Sequence, residues 1–341
     1  MTTTEKPAQD EFLALAQPYR RELMAHCYRM LGSVHDAEDV FQETMVRAWR
    51  GYDRFEGRSS LRTWLHRIAT STCLTALEGR KRRPMPAGLN GTGSDPDDPL
   101  RDNAEVAWLE PVPDHAVGAD PAAVVSSRST IRLAFVAALQ HLPARQRAVL
   151  LLREVLQWKA SEVAELLGTS VAAVNSALQR ARAQMAQVAP AEDDVAYPLS
   201  EHQRDLLERY VAAFEIKDVA GIVALLAADV VWEMPPYEAW YRGREHVAQH
   251  LRTRCPAGPG DLRLVPISAN GQPGFAQYLR GPDGVFRPFN LQVLTFTGTT
   301  VAHVATFLDP SLFDVFDLPP EIRARPSTSG GSGGDGDAAG A

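Results

Sequence analysis

Residues 84–100 read PMPAGLNGTGSDPDDPL, and a run this rich in Pro, Gly and Asp has too few apolar side chains to build a core of its own. The chain must therefore fold as modules on either side of it. Its 341 residues suffice for two or three domains, since one domain takes roughly 100–200. Charge partitions the same way. Residues 12–83 hold 13 Lys/Arg against 8 Asp/Glu and residues 128–188 hold 8 against 3, whereas residues 84–127 hold one Arg against eight acids. Two basic blocks flanking a flexible acidic connector fit a polyanion partner that the connector must not bind, although a solvated helix face would carry the same charges. No stretch of about 18 uncharged apolar residues is present and the first twenty residues lack a secretory pattern, so a cytoplasmic location without membrane contact is expected. Cys27, Cys73 and Cys255 are odd in number and widely spaced, which offers neither a disulfide framework nor a zinc site.

The first block, 12–83, reads as helices. Leu15, Tyr19, Leu23, Cys27 and Met30 recur at spacings of three and four, one buried stripe that Gly32 ends. The next helix opens on Ser33 or Asp36 as a cap and buries Val40, Phe41, Thr44 and Ala48. Asp39, Gln42, Glu43 and Arg47 are left outward, facing solvent or a basic partner. A third helix starts near Ser60 and turns Leu61, Leu65 and Ile68 inward. Arg62, Trp64, His66 and Arg67 fall around its remaining surface, with Arg80, Lys81, Arg82 and Arg83 downstream. Cations neutralise phosphates without reading sequence, and an aromatic plane stacks on an unpaired base, so the set suits single-stranded DNA. Taken alone, Trp64 reads as a core ring.

The second block, 128–188, holds a helix-turn-helix pattern over 160–179, ASEVAELLGTSVAAVNSALQ. Small Ala164 lets two helices approach, Gly168 supplies the left-handed turn, and Val163, Leu167, Val174 and Leu178 share a core. Ser170 or Thr169 caps the second helix, whose exposed half shows Ala172, Ala173, Asn175, Ser176 and Gln179, followed by Arg180 and Arg182. Asn and Gln pair with adenine, and the alanines suit thymine methyls. A helical hairpin without a DNA role has the same core pattern.

These blocks resemble regions 2 and 4 of the sigma-70 family of bacterial RNA polymerase initiation factors, in the small extracytoplasmic-function type that lacks regions 1.1 and 3. The likeness rests on DAEDVFQETMVRAW, on RSSLRTWLHRIA running to EGRKRR, and on LPARQRAVLLLRE followed by SEVAELLGTSVAAVNSALQRARAQM. It implies partners: the clamp and flap of the polymerase core, and promoter DNA. Asp39, Gln42 and Glu43 would bind the clamp. Arg62, Trp64, Arg67 and the Arg80, Lys81, Arg82, Arg83 cluster would capture the opened minus-10 strand. Ser170, Ala172, Ala173, Asn175, Ser176, Gln179, Arg180 and Arg182 would lie at the minus-35 major groove. This chain reads VNSALQRAR where the family has VKSRLHRAR, so Asn175 and Ala177 replace cations and phosphate contact there is weakened. An anti-sigma factor or a small-molecule ligand is left open as a further partner, and no cofactor is expected.

The final third, 200–318, gives helices followed by alternating strands, an α+β cone behind two all-α domains. It resembles the SnoaL-like branch of the NTF2-like fold, and the whole arrangement the SigG-like sigma factors. Trp232, Met234, Tyr237, Trp240, Tyr241, Phe275, Tyr278 and His303 would line its pocket. His303 as a base, with Asp229 or Glu233 as an acid, would make an acid/base pair if they converged. His246 and His250 stand one helical turn apart without a third metal ligand. An aromatic core with a vestigial pocket and a regulatory role fits better than an enzyme. Residues 326–341 read as a disordered Gly/Ser/Asp tail. A ligand-sensing helix-turn-helix regulator with an enzyme-like effector domain is the rival reading, but it has no use for the first block.

Overall fold

The computed structural model describes residues 9–89, 91, 93–118, 131–188 and 199–323; the tail 326–341 and connector residues 119–127 lie outside them. Helix α1 (Gln9–Ala16) leads into a three-helix bundle of α2 (Arg20–Leu31), α3 (Val34–Gly51) and α4 (Leu61–Ala76). The stops are local. Gly32 ends α2 at φ 71, and the Ser33 and Ser60 hydroxyls accept the amides of Asp36 and Thr63 at 3.1 Å, capping α3 and α4. Short α5 (Asp114–Val117) closes the connector. The second block holds α6 (Leu133–Leu139), α7 (Ala144–Leu150) continued by a π turn over Leu151–Val155, α8 (Ala160–Leu167) and α9 (Val171–Val188).

The last third is α10 (Glu201–Glu215), α11 (Val219–Ala224), β1 (Leu226–Glu233), β2 (Trp240–Arg242), α12 (Arg244–Thr253), β3 (Leu262–Ala269), β4 (Gln272–Arg280), β5 (Val285–Thr297), β6 (Thr300–Phe307), α13 (Leu312–Val315) and β7 (Ile322–Arg323). The strands form one sheet in the order β2-β1-β6-β5-β4-β3, with β7 added to β5. Only β1 and β6 run parallel. One face holds Trp232, Phe275, Leu294 and Val304 against Tyr210 and Phe214 of α10. The opposite face, with Ala276, Leu291, Val293, Ala305 and Phe307, joins the same core as Leu109, Val112, Ile131, Leu133 and Leu139. Sheet and helical modules therefore share a hydrophobic core.

The connector departs from the flexible segment expected. Met85, Trp108, Leu109, Val112 and Val117 are buried. Composition averaged over the run hides them, because Met85, Leu109, Val112 and Val117 insert into a core built by neighbouring modules instead of building their own. We call 84–118 the strap. Tyr28 of α2 donates to the Glu110 carbonyl at 2.7 Å, and Asn270, in the β3–β4 turn and fully buried, makes four bonds to three other parts of the chain. Its Nδ2 donates to the Tyr28 hydroxyl (2.8 Å) and the Ile131 carbonyl (2.9 Å), its Oδ1 accepts the Val112 amide (3.0 Å), and its amide donates to the Val112 carbonyl (2.9 Å). From the second block, buried Arg147 donates to the Met30 carbonyl and, at 2.7 Å, to Gln140 Oε1. Burial lowers its pKa to about 10, which still leaves it charged at neutral pH.

Two stability measurements follow. Leu109→Ala should cost about 2–5 kcal/mol in denaturant unfolding, the usual range for a buried leucine; an unchanged midpoint would mean that the strap is not part of the core. Asp36 accepts from Arg80 at 2.7 Å and Arg83 at 2.6 Å; burial alone would raise its pKa, but the two guanidinium groups hold it below the ordinary value. A carboxyl depressed in the folded state stabilises the fold above its unfolded pKa and loses that contribution as pH falls through the folded one. Asp36→Asn should therefore be less stable than wild type at neutral pH, with the gap closing below about pH 4. A gap independent of pH would refute the ion-pair role.

Candidate nucleic-acid interface

The helix-turn-helix forms as its spacing predicts. Glu162 reaches back to the Lys159 amide at 2.7 Å to start α8, and Gly168 at φ 60 turns the chain. The Ser170 hydroxyl accepts the Ala173 amide at 3.1 Å to start α9. Val163, Ala164, Leu167, Val174, Leu178 and Ala181 are buried in the shared core. Ala172, Ala173, Asn175, Ser176, Gln179, Arg180 and Arg182 are exposed. Ser170 serves as the cap, Arg182 pairs with Glu154 at 2.6 Å, and Arg180 has no partner among the described residues.

On the first block Asp39, Gln42 and Glu43 are exposed along α3, with Arg47 paired to Glu43 at 2.7 Å. The cations expected at an opened strand are nearly all engaged by groups of the protein. Arg62 grips Glu22, Arg80 and Arg83 share Asp36, and Arg82 donates to His141 Nδ1 at 2.8 Å and to the Gly88 carbonyl at 3.0 Å. Burial, then the Arg82 charge, lowers the His141 pKa and favours the neutral ring that can accept. Arg67 crosses between modules to Glu165 of α8 at 2.8 Å, and holds that carboxyl below its usual range. Lys81 is exposed and has no partner among the described residues. Trp64 is half-buried, its ring 5.0 Å from Phe55 and 6.3 Å from Tyr52. His66 is not on the surface: it is 1% exposed, against His26 at 5.6 Å, with Nδ1 bonded to the Arg62 carbonyl.

The expected pocket divides between two faces of the sheet. Trp232, Met234, Tyr241 and Phe275 belong to the interior, and Tyr237 packs partly buried against it. Trp240, Tyr278 and His303 do not belong there. Trp240 sits opposite Glu233 and His303 opposite Val231, on the reverse face from Trp232. Tyr278 packs on Phe313 of α13 at 5.1 Å and donates to the Pro319 carbonyl. Side chains alternate between faces with a period of two, and a selection by aromatic type ignored that parity. Glu233 and His303 do converge, at 2.8 Å, while Asp229 is exposed and apart. The second Glu233 oxygen accepts the Ala87 amide of the strap at 2.8 Å, so this pair anchors the strap outside the cone interior. His246 is exposed at the start of α12 and His250 is buried against Tyr241; no group of three or more metal-ligating side chains occurs among the described residues. No helix among them is long and apolar enough to cross a membrane.

Sequence reasoning missed Asn270 and Arg147. The dipeptide Asn270-Gly271 was the available signal for Asn270, since both residues take positive φ, 58 and 68, in the tight hairpin such a pair favours. Arg147 carried no signal distinct from the other cations of its block.

Comparison with known proteins agrees with this geometry. Residues 15–83 match the Sigma-70 region 2 model, 132–185 Sigma-70 region 4, and 207–307 the SnoaL-like domain. The ECF RNA polymerase sigma factor SigG of Mycobacterium tuberculosis H37Rv is 56% identical over 315 residues, which covers 92% of this chain and 85% of the relative. SigJ of the same organism is 32% identical over 339 residues, 94% and 97% of the two chains. The crystal structure of M. tuberculosis SigJ superposes with a TM-score of 0.59 at 24% identity, over 90% of this chain and all of that one, which shows a common fold. With both helical modules matched in order and a full-length relative at this identity, the chain belongs to the extracytoplasmic-function family of RNA polymerase sigma factors, with a SnoaL-like domain behind region 4.

Proposed function

We propose that this chain binds the RNA polymerase core, directs it to minus-10 and minus-35 promoter elements, and is held in a closed resting form by its SnoaL-like cone. One observation carries the reading: Arg67 of region 2 is bonded to Glu165 of the region 4 helix-turn-helix. The two promoter elements lie roughly 25 base pairs apart, about 85 Å at 3.4 Å per base pair. Modules in direct contact cannot span that distance, so the free chain must open before both elements are read. Residues 84–131, about 3.3 Å each when extended, are long enough to bridge the gap. Asn270 and Arg147 oppose that opening.

The roles follow. Asp39, Gln42 and Glu43 offer an accessible acidic face to the core. Asn175, Ser176, Gln179 and Arg180 project from α9 toward a major groove. Region 2 presents Lys81 freely, while Arg62, Arg67, Arg80 and Arg83 exchange their carboxylates for phosphates on opening. No chemistry is assigned to the cone.

Binding and run-off transcription with purified core test this. Asp39→Ala with Glu43→Ala should weaken core binding about tenfold or more while leaving the unfolding midpoint unchanged; unaltered affinity would discard that face. Asn270→Gly keeps the left-handed turn and the main-chain bond to Val112 but removes the three side-chain bonds, and should raise promoter-specific output from the free chain about tenfold, the effect of about 1.4 kcal/mol on the closed state. Output equal to wild type, with the variant folded, would show that the cone does not hold the chain closed.

A further inference from the structure

The strap does more than join two modules. Ser94 and Trp240 exchange hydrogen bonds, amide to carbonyl at 2.8 Å and Trp240 amide to Ser94 Oγ at 3.3 Å. Seven residues on, the Glu238 amide donates to the Arg101 carbonyl at 3.2 Å, and Asp102 bridges Tyr237 in antiparallel fashion. Between these points Gln249 donates to Asp97 Oδ1 at 2.8 Å, and Arg254 donates to the carbonyls of Pro96 and Asp97. Leu100 packs on the cone's interior cluster. Strap residues 94–103 are thus held against the cone edge largely through their main-chain groups, in a peptide that turns at Asp95, whose carbonyl accepts the Asp98 amide at 3.1 Å, with Pro96 buried and Leu100 packed on the interior.

Charge is complementary along this contact. Residues 94–103 carry Asp95, Asp97, Asp98 and Asp102 against Arg101, and residues 237–254 carry Arg242, Arg244, Arg252 and Arg254 against Glu238 and Glu245. The fit is incomplete. Beneath the strap the Tyr241 hydroxyl and His250 Nδ1 are buried and have no hydrogen-bond partner among the described residues, their rings stacked at 4.7 Å. Burial raises the Tyr241 pKa to about 12, so its hydroxyl stays a donor, and burial and the Arg254 charge bring the His250 pKa to about 4. Arg254, Asp95 and Asp98 are near enough to act electrostatically on Tyr241. An unpaired buried donor is costly, so a peptide that places an acceptor on it gains over the strap.

We propose that the cone edge formed by residues 237–254 is a binding groove for an Asp-rich peptide of a protein partner that turns as the strap does, and that the strap fills it as a built-in, displaceable occupant. The partner's acidic peptide takes the main-chain bonds and the Arg254 contact now made by residues 94–103, and adds a carboxylate at the Tyr241 hydroxyl. The displaced strap is then free to lengthen. This assignment stands on the cone and strap alone and does not depend on the polymerase reading.

A fluorescein-labelled peptide with the sequence of residues 93–103, GSDPDDPLRDN, is the probe, followed by anisotropy with the full-length chain. The tethered strap competes at roughly millimolar effective concentration, so Asp97→Asn with Leu100→Ser in the chain's own strap should tighten probe binding about tenfold over wild type. Adding Arg254→Ala to that variant, or replacing the probe's Asp residues with Asn, should reverse the gain. Equal probe binding by wild type and the strap variant, or equal binding of the Asn probe, overturns the proposal. If the strap variant fails to fold, hydrogen exchange of the wild-type chain decides: excess probe should speed exchange across 94–103, and unchanged exchange overturns it.

Discussion

Asn270 is the constraint on which the arrangement of the chain depends. One buried amide side chain of the cone and its own backbone N–H satisfy groups from α2, the strap and the start of region 4. Each of those groups lies where water does not reach, and a buried amide left without a partner costs about 1–3 kcal/mol. The bonds are therefore interdependent: moving any one element away strands polar atoms on the others. Gly271 extends the same knot by donating to Asp114, and Gln272 accepts the Leu133 amide. A hairpin turn from the last domain thus sets the relative placement of the two before it. Such a knot is uniquely specified, which makes it either wholly formed or wholly broken.

The cations proposed to meet DNA obey a different logic. Their partners are carboxylates at the surface, and exposed ion pairs contribute little in water and are screened by salt. Arg62, Arg67, Arg80 and Arg182 are consequently held in place without being locked. A backbone phosphate carries the same single negative charge and also offers two acceptor oxygens, so the proposed engagement with DNA would swap one acceptor for another and leave no cation stranded. Arg147 is the contrast. Its acceptors are three main-chain carbonyls and the Gln140 side-chain amide oxygen, all buried, and no ligand can take their place without unpacking the α2–α7 contact.

The helices and their stops were legible because each is a local matter. Gly32, Ser33, Ser60, Gly168 and Ser170 act on the turn they belong to, and the apolar stripes record which side each helix buries. Exposure of Asn175, Ser176 and Gln179 followed from the same period. What was not legible depends on partners distant in sequence. Leu109 and Val112 sit in an acidic, proline-rich run whose average composition argues against order, and only the sheet face and region 4 make them core. His66 faces inward because α2 presents His26 to it. Trp240, Tyr278 and His303 look like pocket residues until the register fixes their face, and register is not written in residue type.

The strap joins these two kinds of interaction. Toward Pro113 it is anchored by buried Leu109 and Val112 and by the Asn270 knot; over 94–103 it lies on the cone through main-chain bonds and only Leu100 packs on the apolar interior. A connector that buried leucines along its whole length would weld region 2 to the cone, and one with none would leave the modules independent. Apolar anchors at both ends, Met85 at one and Leu109 and Val112 at the other, with polar clasps between them, give an order of release. The stretch over 94–103 loosens first, at the cost of hydrogen bonds that water can replace, and the knot yields only when region 4 itself is drawn away. The low apolar content that divided the chain into modules is, on this view, what allows the same segment to hold them together reversibly.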